Sequence, residues 1–247
     1  MRISAEQLSE EADATGFRPD VLEKVAQLLG LLNALPTHPA LQGKLALKGG
    51  TALNLFILDV PRLSVDIDLN YVGTEGLEPM QRERPDIIRA VQAVSEREGF
   101  VLRHSTDDHA GVKMRLQYAG ASGQAGNVEV DMNFMFRVPL WPIARMNSHR
   151  VGAWQAKGVP VMDIHELVAG KLAALLSRKQ ARDLFDAVHV LRGASVDKDK
   201  LRLALTVYCA LNRENLADSS PDGIGFDPRE LSAMLVPTLR ATADRGQ

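Results

Sequence analysis

The chain has 247 residues, 45% of them hydrophobic and 24% charged, with a formal net charge of −2. That length supports one large domain or two small ones with a real core, and the charge balance gives no global sign of nucleic-acid binding. A single cysteine, Cys209, excludes an intramolecular disulfide and a cysteine-based zinc cluster.

No run approaches the ~20 apolar residues of a membrane span, and the start MRISAEQLSEEADATG lacks the apolar core of a secretory signal. A cytoplasmic protein with no membrane partner is the expectation. Ser4 is placed to cap a first helix reaching about Ala14. Pro19 opens a second, in which Val21, Leu22, Val25, Leu28, Leu29 and Leu32 recur at helical spacing up to Leu35-Pro36.

The stretch 45–72, LALKGGTALNLFILDVPRLSVDIDLNYV, holds the strongest signal. It reads as a strand at Leu45 to Leu47, a turn at Gly49-Gly50, a helix from about Thr51 to Leu58, and a second strand from about Ser64 to Tyr71. In that strand Val65, Ile67 and Leu69 alternate with Asp66 and Asp68, so both carboxylates share one face, ~7 Å apart at their Cα atoms. Two such carboxylates call for a cation between them, and Mg²⁺ takes one or two carboxylates together with substrate phosphates. The glycine pair allows close backbone approach and presents N–H groups to an anion.

Gly73 to Met80 is expected as a loop, with Pro85 in the first turn of a third helix whose face is Ile87, Ile88, Val91 and Val94. Strand-like runs follow at Phe100 to His104, Val112 to Tyr118 and Val128 to Phe136, with AGASGQAGN (119–127) as a turn between the last two. In the third run Val128, Val130, Met132, Phe134 and Phe136 lie on one face and Glu129, Asp131 and Asn133 on the other. Paired beside the Asp66/Asp68 strand, it would bring Asp131 or Glu129 in as a third carboxylate of a two-metal site.

Residues 137–160 read as irregular, and the boundary between an α+β domain (1–150) and a helical domain (151–247) is placed there. Asp163 then caps a helix, DIHELVAGKLAALLSR, in which Lys171 is the odd residue on an apolar face: such a lysine either snorkels to water or reaches an anion. Asp183 and Asp186, three apart on the next helix, share a face. Between residues 132 and 182 the charge is +6, which suits a polyanionic substrate and equally a solvated surface. Further helices are expected over 196–211 and from about Pro228 to Arg240, separated by the polar loop NLADSSPDGIGFDP (215–228). The histidines show no paired metal spacing, and there is no G-x-S-x-G, no Walker-type loop and no repeat.

GGT followed by R-x-S-x-D-I-D-L resembles the nucleotidyltransferase core of the DNA polymerase β type. More narrowly, KGGTALNLF with RLSVDIDL, and KLAALLSRKQARDLFDAVHVL downstream, resemble the AbiEii/AbiGii toxin family, to which the MenT toxins belong. The resemblance covers roughly residues 45–190. It implies an α+β fold, a polymerase β-type core of mixed sheet flanked by helices, followed by a helical C-terminal half. It also implies an enzyme that transfers NMP from an NTP, with Mg²⁺ or Mn²⁺ as cofactor.

On this resemblance Asp66, Asp68 and Asp131 hold metal, Asp131 alternatively acting as base, and Lys171 contacts nucleotide phosphate with Asp183 or Asp186 near it. Gly49, Gly50 and Thr51 would hold the triphosphate, with Lys48, Arg62 and Ser64 as further phosphate or base contacts. Arg62 could instead brace its strand through Asp66, and Asp183 could cap its helix or pair with Arg178 or Arg182. The implied acceptor is RNA, for some members the 3′ end of tRNA, and the implied partner is a cognate antitoxin. Two alternatives stand beside this reading: a nucleotidyltransferase that modifies a protein or small molecule, and a nucleotide-binding regulator without turnover.

Overall fold

The computed structural model describes residues 3–178, 180–212 and 226–241. Helices α1 (Ala5–Thr15) and α2 (Pro19–Ala34) come first, and Ser4 Oγ caps α1 by accepting from Gln7 N. Strand β1 (Leu45–Lys48), the short helix α3 (Gly49–Ala52) and strand β2 (Asp66–Tyr71) follow. Then come α4 (Leu77–Arg97), the strands β3 (Val101–Asp107), β4 (Gly111–Ala119), β5 (Ala125–Asn133), β6 (Ala144–Met146) and β7 (Val159–Val161), and the helices α5 (Ile164–Arg178), α6 (Ala181–Gly193) and α7 (Lys198–Leu211).

The seven strands form one mixed sheet in the order β3-β4-β5-β2-β1-β7-β6. β2 runs antiparallel to β1 and parallel to β5, and β5 runs antiparallel to β4. Alternation sorts the two faces. Ile67 and Leu69 of β2, Met114 and Leu116 of β4 and Val130 and Met132 of β5 are buried in a core shared with α2 and α4. Asp66, Asp68, Lys113, Arg115, Glu129 and Asp131 point to the other face. The α+β core with a helical C-terminal region is thus the architecture expected from the sequence.

Several elements differ from expectation. α4 begins two turns early, and Pro79 rather than Pro85 sits in its first turn. Pro85 is tolerated inside because Gln81, whose carbonyl loses its partner there, lies on the exposed side. Residues 137–161 contain the two short strands β6 and β7, and the residue pair Leu47–Val161 joins β7 to β1, so position 150 falls between strands of a single sheet. Apolar alternation over three residues is too short a signal to read. The final helix is a string of short turns, 228–230, 231–235 and 236–238. The polar loop at 215–228 lies outside the described residues up to position 225.

The helix after the glycine pair starts at Gly49 and widens into a π-turn over Leu53–Ile57, closed by Leu58 N donating to Leu53 O at 2.8 Å. Such wide turns concentrate at functional sites. The chain then passes Val60 at φ +47°, a strained conformation for a buried β-branched residue, two positions before Arg62. α5 packs on α3 and on this π-turn, and α6 packs on the π-turn.

Candidate active site

The parallel pairing of β2 with β5 sets Asp68 opposite Asp131 and Asp66 opposite Glu129, while β1 sets Lys48 opposite Asp68 and β4 sets Lys113 opposite Asp131. A single row therefore crosses the sheet in the order Lys48, Asp68, Asp131, Lys113. Burial pushes the Asp68 carboxyl above the usual carboxylate range; Lys48 and Lys171 pull it down, and Asp131 and Asp66 add to the rise. Lys24 approaches Asp66 at 4.0 Å and Lys113 approaches Asp131 at 3.4 Å.

Two clefts meet at this row. One, of about 850 Å³, is lined by Asp66, Asp68, Glu129, Asp131 and Lys113 on the sheet side and by Arg178, Gln180 and Arg182 opposite. The other, of about 820 Å³, runs along α5 and α7 and is lined by Lys48, Gly49, Phe136, Glu166, Tyr208 and Asn212. Gly50, Asp68, Lys171 and Arg178 belong to both. In the second cleft the rings of Phe136 and Tyr208 stack at 5.6 Å, 4° from parallel. Buried Glu166 accepts from Leu140 N, Trp141 N and the Tyr208 hydroxyl.

The glycine pair is required for different reasons. Gly49 has φ +71°, and a β-carbon there would overlap the Asp68 carboxylate. Gly50 leaves room for the Arg62 guanidinium, whose Nη2 would stand 3.2 Å from an added β-carbon. Ser64 is buried and its Oγ lies on the same side, 3.0 Å from that position. Thr51, expected to offer its hydroxyl to phosphate, is instead fully buried and donates to Asp66 O at 2.5 Å, so it ties α3 to β2.

Behind the clefts lies a buried ionic network. Arg62 donates from Nε and Nη2 to both oxygens of Asp186 at 2.7 Å, so it braces α6, and the alternative of a brace through Asp66 does not hold. Lys171 Nζ lies 2.8 Å from Asp183 and 2.9 Å from Asp186. Arg178 Nε donates to Asp183 at 2.7 Å, as one of the sequence alternatives had it, and Asn54 Nδ2 bridges Gly50 O and Asp186. Three cations against two carboxylates leave one positive charge in excess next to the cleft. Asp183 and Asp186 share a face as expected, and both grip Lys171.

Of the basic stretch at 132–182, only Lys171, Arg178 and Arg182 reach these clefts among the described residues. Arg145 lines a cavity behind the sheet, and Arg137 and Arg150 donate to nearby carbonyls. The cations beside the carboxylates come from β4 instead. Lys113 was open to sequence reasoning, because GVKMRLQYA alternates and puts Lys113, Arg115 and Gln117 on one face. Asn54 and Glu166 carry no such signal. Among the described residues no three acidic, histidine or cysteine side chains form a ready-made metal cluster. No described helix is long and apolar enough to cross a membrane.

Comparison with known proteins places this geometry in context. Residues 31–242 match the model of a family described as nucleotidyl transferase AbiEii toxin, type IV toxin–antitoxin system. No curated protein matches the chain. Its structure resembles that of the nucleotidyltransferase toxin MenT4 of Mycobacterium tuberculosis H37Rv with a TM-score of 0.64 at 20% identity, over 96% of this chain and 84% of that one. An antigenic nucleotidyltransferase-like protein of Paracoccidioides brasiliensis aligns at a TM-score of 0.45 and 15% identity, over 92% and 97% of the two chains. The likeness to MenT4 is one of fold.

Proposed function

The chain belongs to the AbiEii family of nucleotidyltransferase toxins of type IV toxin–antitoxin systems, and from that premise we propose that it transfers NMP from an NTP to the 3′ end of an RNA, tRNA in the first instance. The observation that carries the reading is the in-register pairing of Asp68 with Asp131 beside the Gly49-Gly50 turn. That pairing supports a reading in which the two carboxylates flank the meeting point of an attacking hydroxyl and a phosphorus, with the close-approach backbone under the phosphates.

In this reading the NTP occupies the cleft along α5 and α7. Lys48 and the Gly49-Gly50 backbone lie against its phosphates, with Ser64 and Arg62 at the edge of the turn. The surplus positive charge of the Arg62, Lys171 and Arg178 network faces the same phosphates, so Lys171 acts while still held by Asp183 and Asp186. The nucleoside lies along the Phe136–Tyr208 pair, an aromatic wall of the kind bases pack on. The acceptor oxygen forms a bond to the α-phosphorus, the bond from that phosphorus to the bridging oxygen breaks, and pyrophosphate leaves with the electron pair. The hydroxyl proton passes to Asp131, whose carboxylate is half exposed and adjacent in the row.

The donor set suits a hard divalent ion such as Mg²⁺ or Mn²⁺. Asp68 is desolvated and crowded by Asp131 and Asp66, and two carboxylates with substrate phosphate oxygens complete the coordination such ions prefer. Bound there, the ion would neutralise phosphate charge at the transition state. A cognate antitoxin as partner and a cytoplasmic location belong to the same proposal.

The test is label transfer. Unfractionated bacterial tRNA is incubated with each α-labelled NTP and Mg²⁺, with the wild type and Asp68→Ala side by side. RNA labelled by the wild type alone supports the reading. Label on a protein or small molecule keeps the site and removes RNA as acceptor. No label with any nucleotide would leave a nucleotide-binding regulator.

A further inference from the structure

The direction of the reaction divides the site in two. Phosphoryl-type displacement runs in line, so attacker and leaving group stand on opposite sides of the phosphorus. If pyrophosphate leaves toward Lys48 and the glycine turn, as proposed above, the acceptor arrives from the other end of the row, past Asp131. What lies there is the flank made by β4 and β3.

That flank is basic and uncovered. Lys113 stands beside Asp131 and Arg115 beside Glu129, both on the carboxylate face and both exposed. Arg103 of β3 joins the same face through the irregularity in pairing between Leu102 and His104, and it donates from Nε and Nη2 to Gln117 Oε1. Arg115 has no carboxylate within ion-pair distance among the described residues. Among the described residues the sole acidic partner of Lys113 is Asp131, at 3.4 Å and with both side chains about half exposed. β3 is an edge strand, exposed along nearly all its length, so no described element covers the strip. Across the cleft the opposing wall is also cationic, with Arg178 and Arg182. Exposed cations held by no buried carboxylate, arranged in a line that ends at a carboxylate row, complement a chain of phosphates that ends in a hydroxyl.

We propose that Lys113, Arg115 and Arg103 form the track that holds the phosphate backbone of the acceptor RNA and leads its 3′ end to Asp131. This rests on the transfer reading above. The strip carries no aromatic side chain among these three residues, so it holds backbone and selects little by base. Discrimination among RNAs would then come from shape or from the far wall.

The test uses the full chain with all three residues changed to glutamine (Arg103→Gln, Lys113→Gln, Arg115→Gln), and Arg89→Gln on the opposite side of the molecule as a control. Binding of unfractionated tRNA is measured across a salt series, and binding of a fluorescent NTP analogue is measured in parallel. The expected result is weaker RNA binding with a salt slope reduced by about 2 to 3, since each of the three lost phosphate contacts removes roughly 0.7 to 0.9. Nucleotide affinity and melting temperature should stay at the wild-type values, as should all properties of Arg89→Gln. An unchanged salt slope in a variant that still labels RNA would overturn the track and leave the transfer reading intact. A wild type that binds nucleotide and labels a protein but not RNA would overturn both.

Discussion

The Asp68 carboxylate occupies the space that a β-carbon on Gly49 would need. Gly49 also holds φ +71°, which costs an L-residue roughly 1–2 kcal/mol. Gly49→Ala would therefore add backbone strain and push Asp68 out of the row it shares with Asp131. A displacement near 1 Å costs on the order of 100-fold in rate, so transfer should fall at least that far while the protein remains folded. Label transfer and thermal melting check the two halves of that statement. A fully active Gly49→Ala protein would remove the glycine from the site.

The ionic network should be structural as much as catalytic. Burial acts to raise the Asp186 carboxyl, but the charges of Lys171 and Arg62 and the hydrogen bonds from Arg62 and Asn54 outweigh it and hold it at about 2. Asp183 is likewise lowered, burial opposing and the Arg178 hydrogen bond and Lys171 charge prevailing. A carboxyl depressed on folding stabilises the native state above its unfolded value near 3.8 and loses that contribution as pH falls through the folded value. Wild-type stability should thus drop steeply between about pH 4 and pH 2. Asp186→Asn strands buried Arg62 beside a neutral amide, leaves Lys171 with Asp183 alone, and should cost ~3–5 kcal/mol at pH 7. Its melting temperature should also vary less over the acid window. Urea unfolding of both proteins across pH measures this, and parallel acid profiles would remove Asp186 as the source.

How far the sequence reaches is visible in two residues. Asp68 could be placed because strand alternation and a glycine turn are local patterns, and so could its neighbour strand with Asp131. Lys171 could be singled out as an oddity on an apolar face, but its two partners come from a helix packed at an angle that no local pattern encodes. Arg62 shows the same limit: its bidentate contact spans 124 positions, to Asp186, where reasoning along the strand offered only a phosphate or base contact or a brace through Asp66. The short β7 and the π-turn escaped because three residues of alternation and one extra residue per turn are weak signals. Packing decides them.

Burial of the Asp68 carboxyl sets stability against activity. Its carboxyl is raised by burial first, with Asp131 and Asp66 adding to the rise, so the ionised form is disfavoured in the folded chain. The sign follows: the group costs stability at pH values where it is ionised, and that cost fades as pH falls through its folded value. Asp68→Asn should therefore melt higher than the wild type at pH 7 in the absence of divalent ions, and transfer no nucleotide. Adding Mg²⁺ with a non-hydrolysable NTP should raise the wild-type melting temperature and leave Asp68→Asn nearly unmoved. A wild type more stable than Asp68→Asn without ligand would show the carboxylate to be well compensated by Lys48 and Lys171.

Tyr208 separates the two tasks of the second cleft. Its hydroxyl donates to buried Glu166 at 3.2 Å, and its ring stacks on Phe136 and rests beside Gly170 of α5. Tyr208→Phe keeps the ring and removes one donor from a carboxyl that burial already pushes up. It should lose about 1–2 kcal/mol of stability with the KM for NTP unchanged. Tyr208→Ala removes the wall as well and should raise that KM about tenfold or more, since a base stacked on an aromatic ring gains ~1–3 kcal/mol. The comparison of the two variants carries the argument, because a loss of stability common to both cannot account for a KM effect confined to one. Equal KM values in both would place the nucleoside away from the Phe136–Tyr208 pair, and the in-line direction inferred for the acceptor would then have to be reversed.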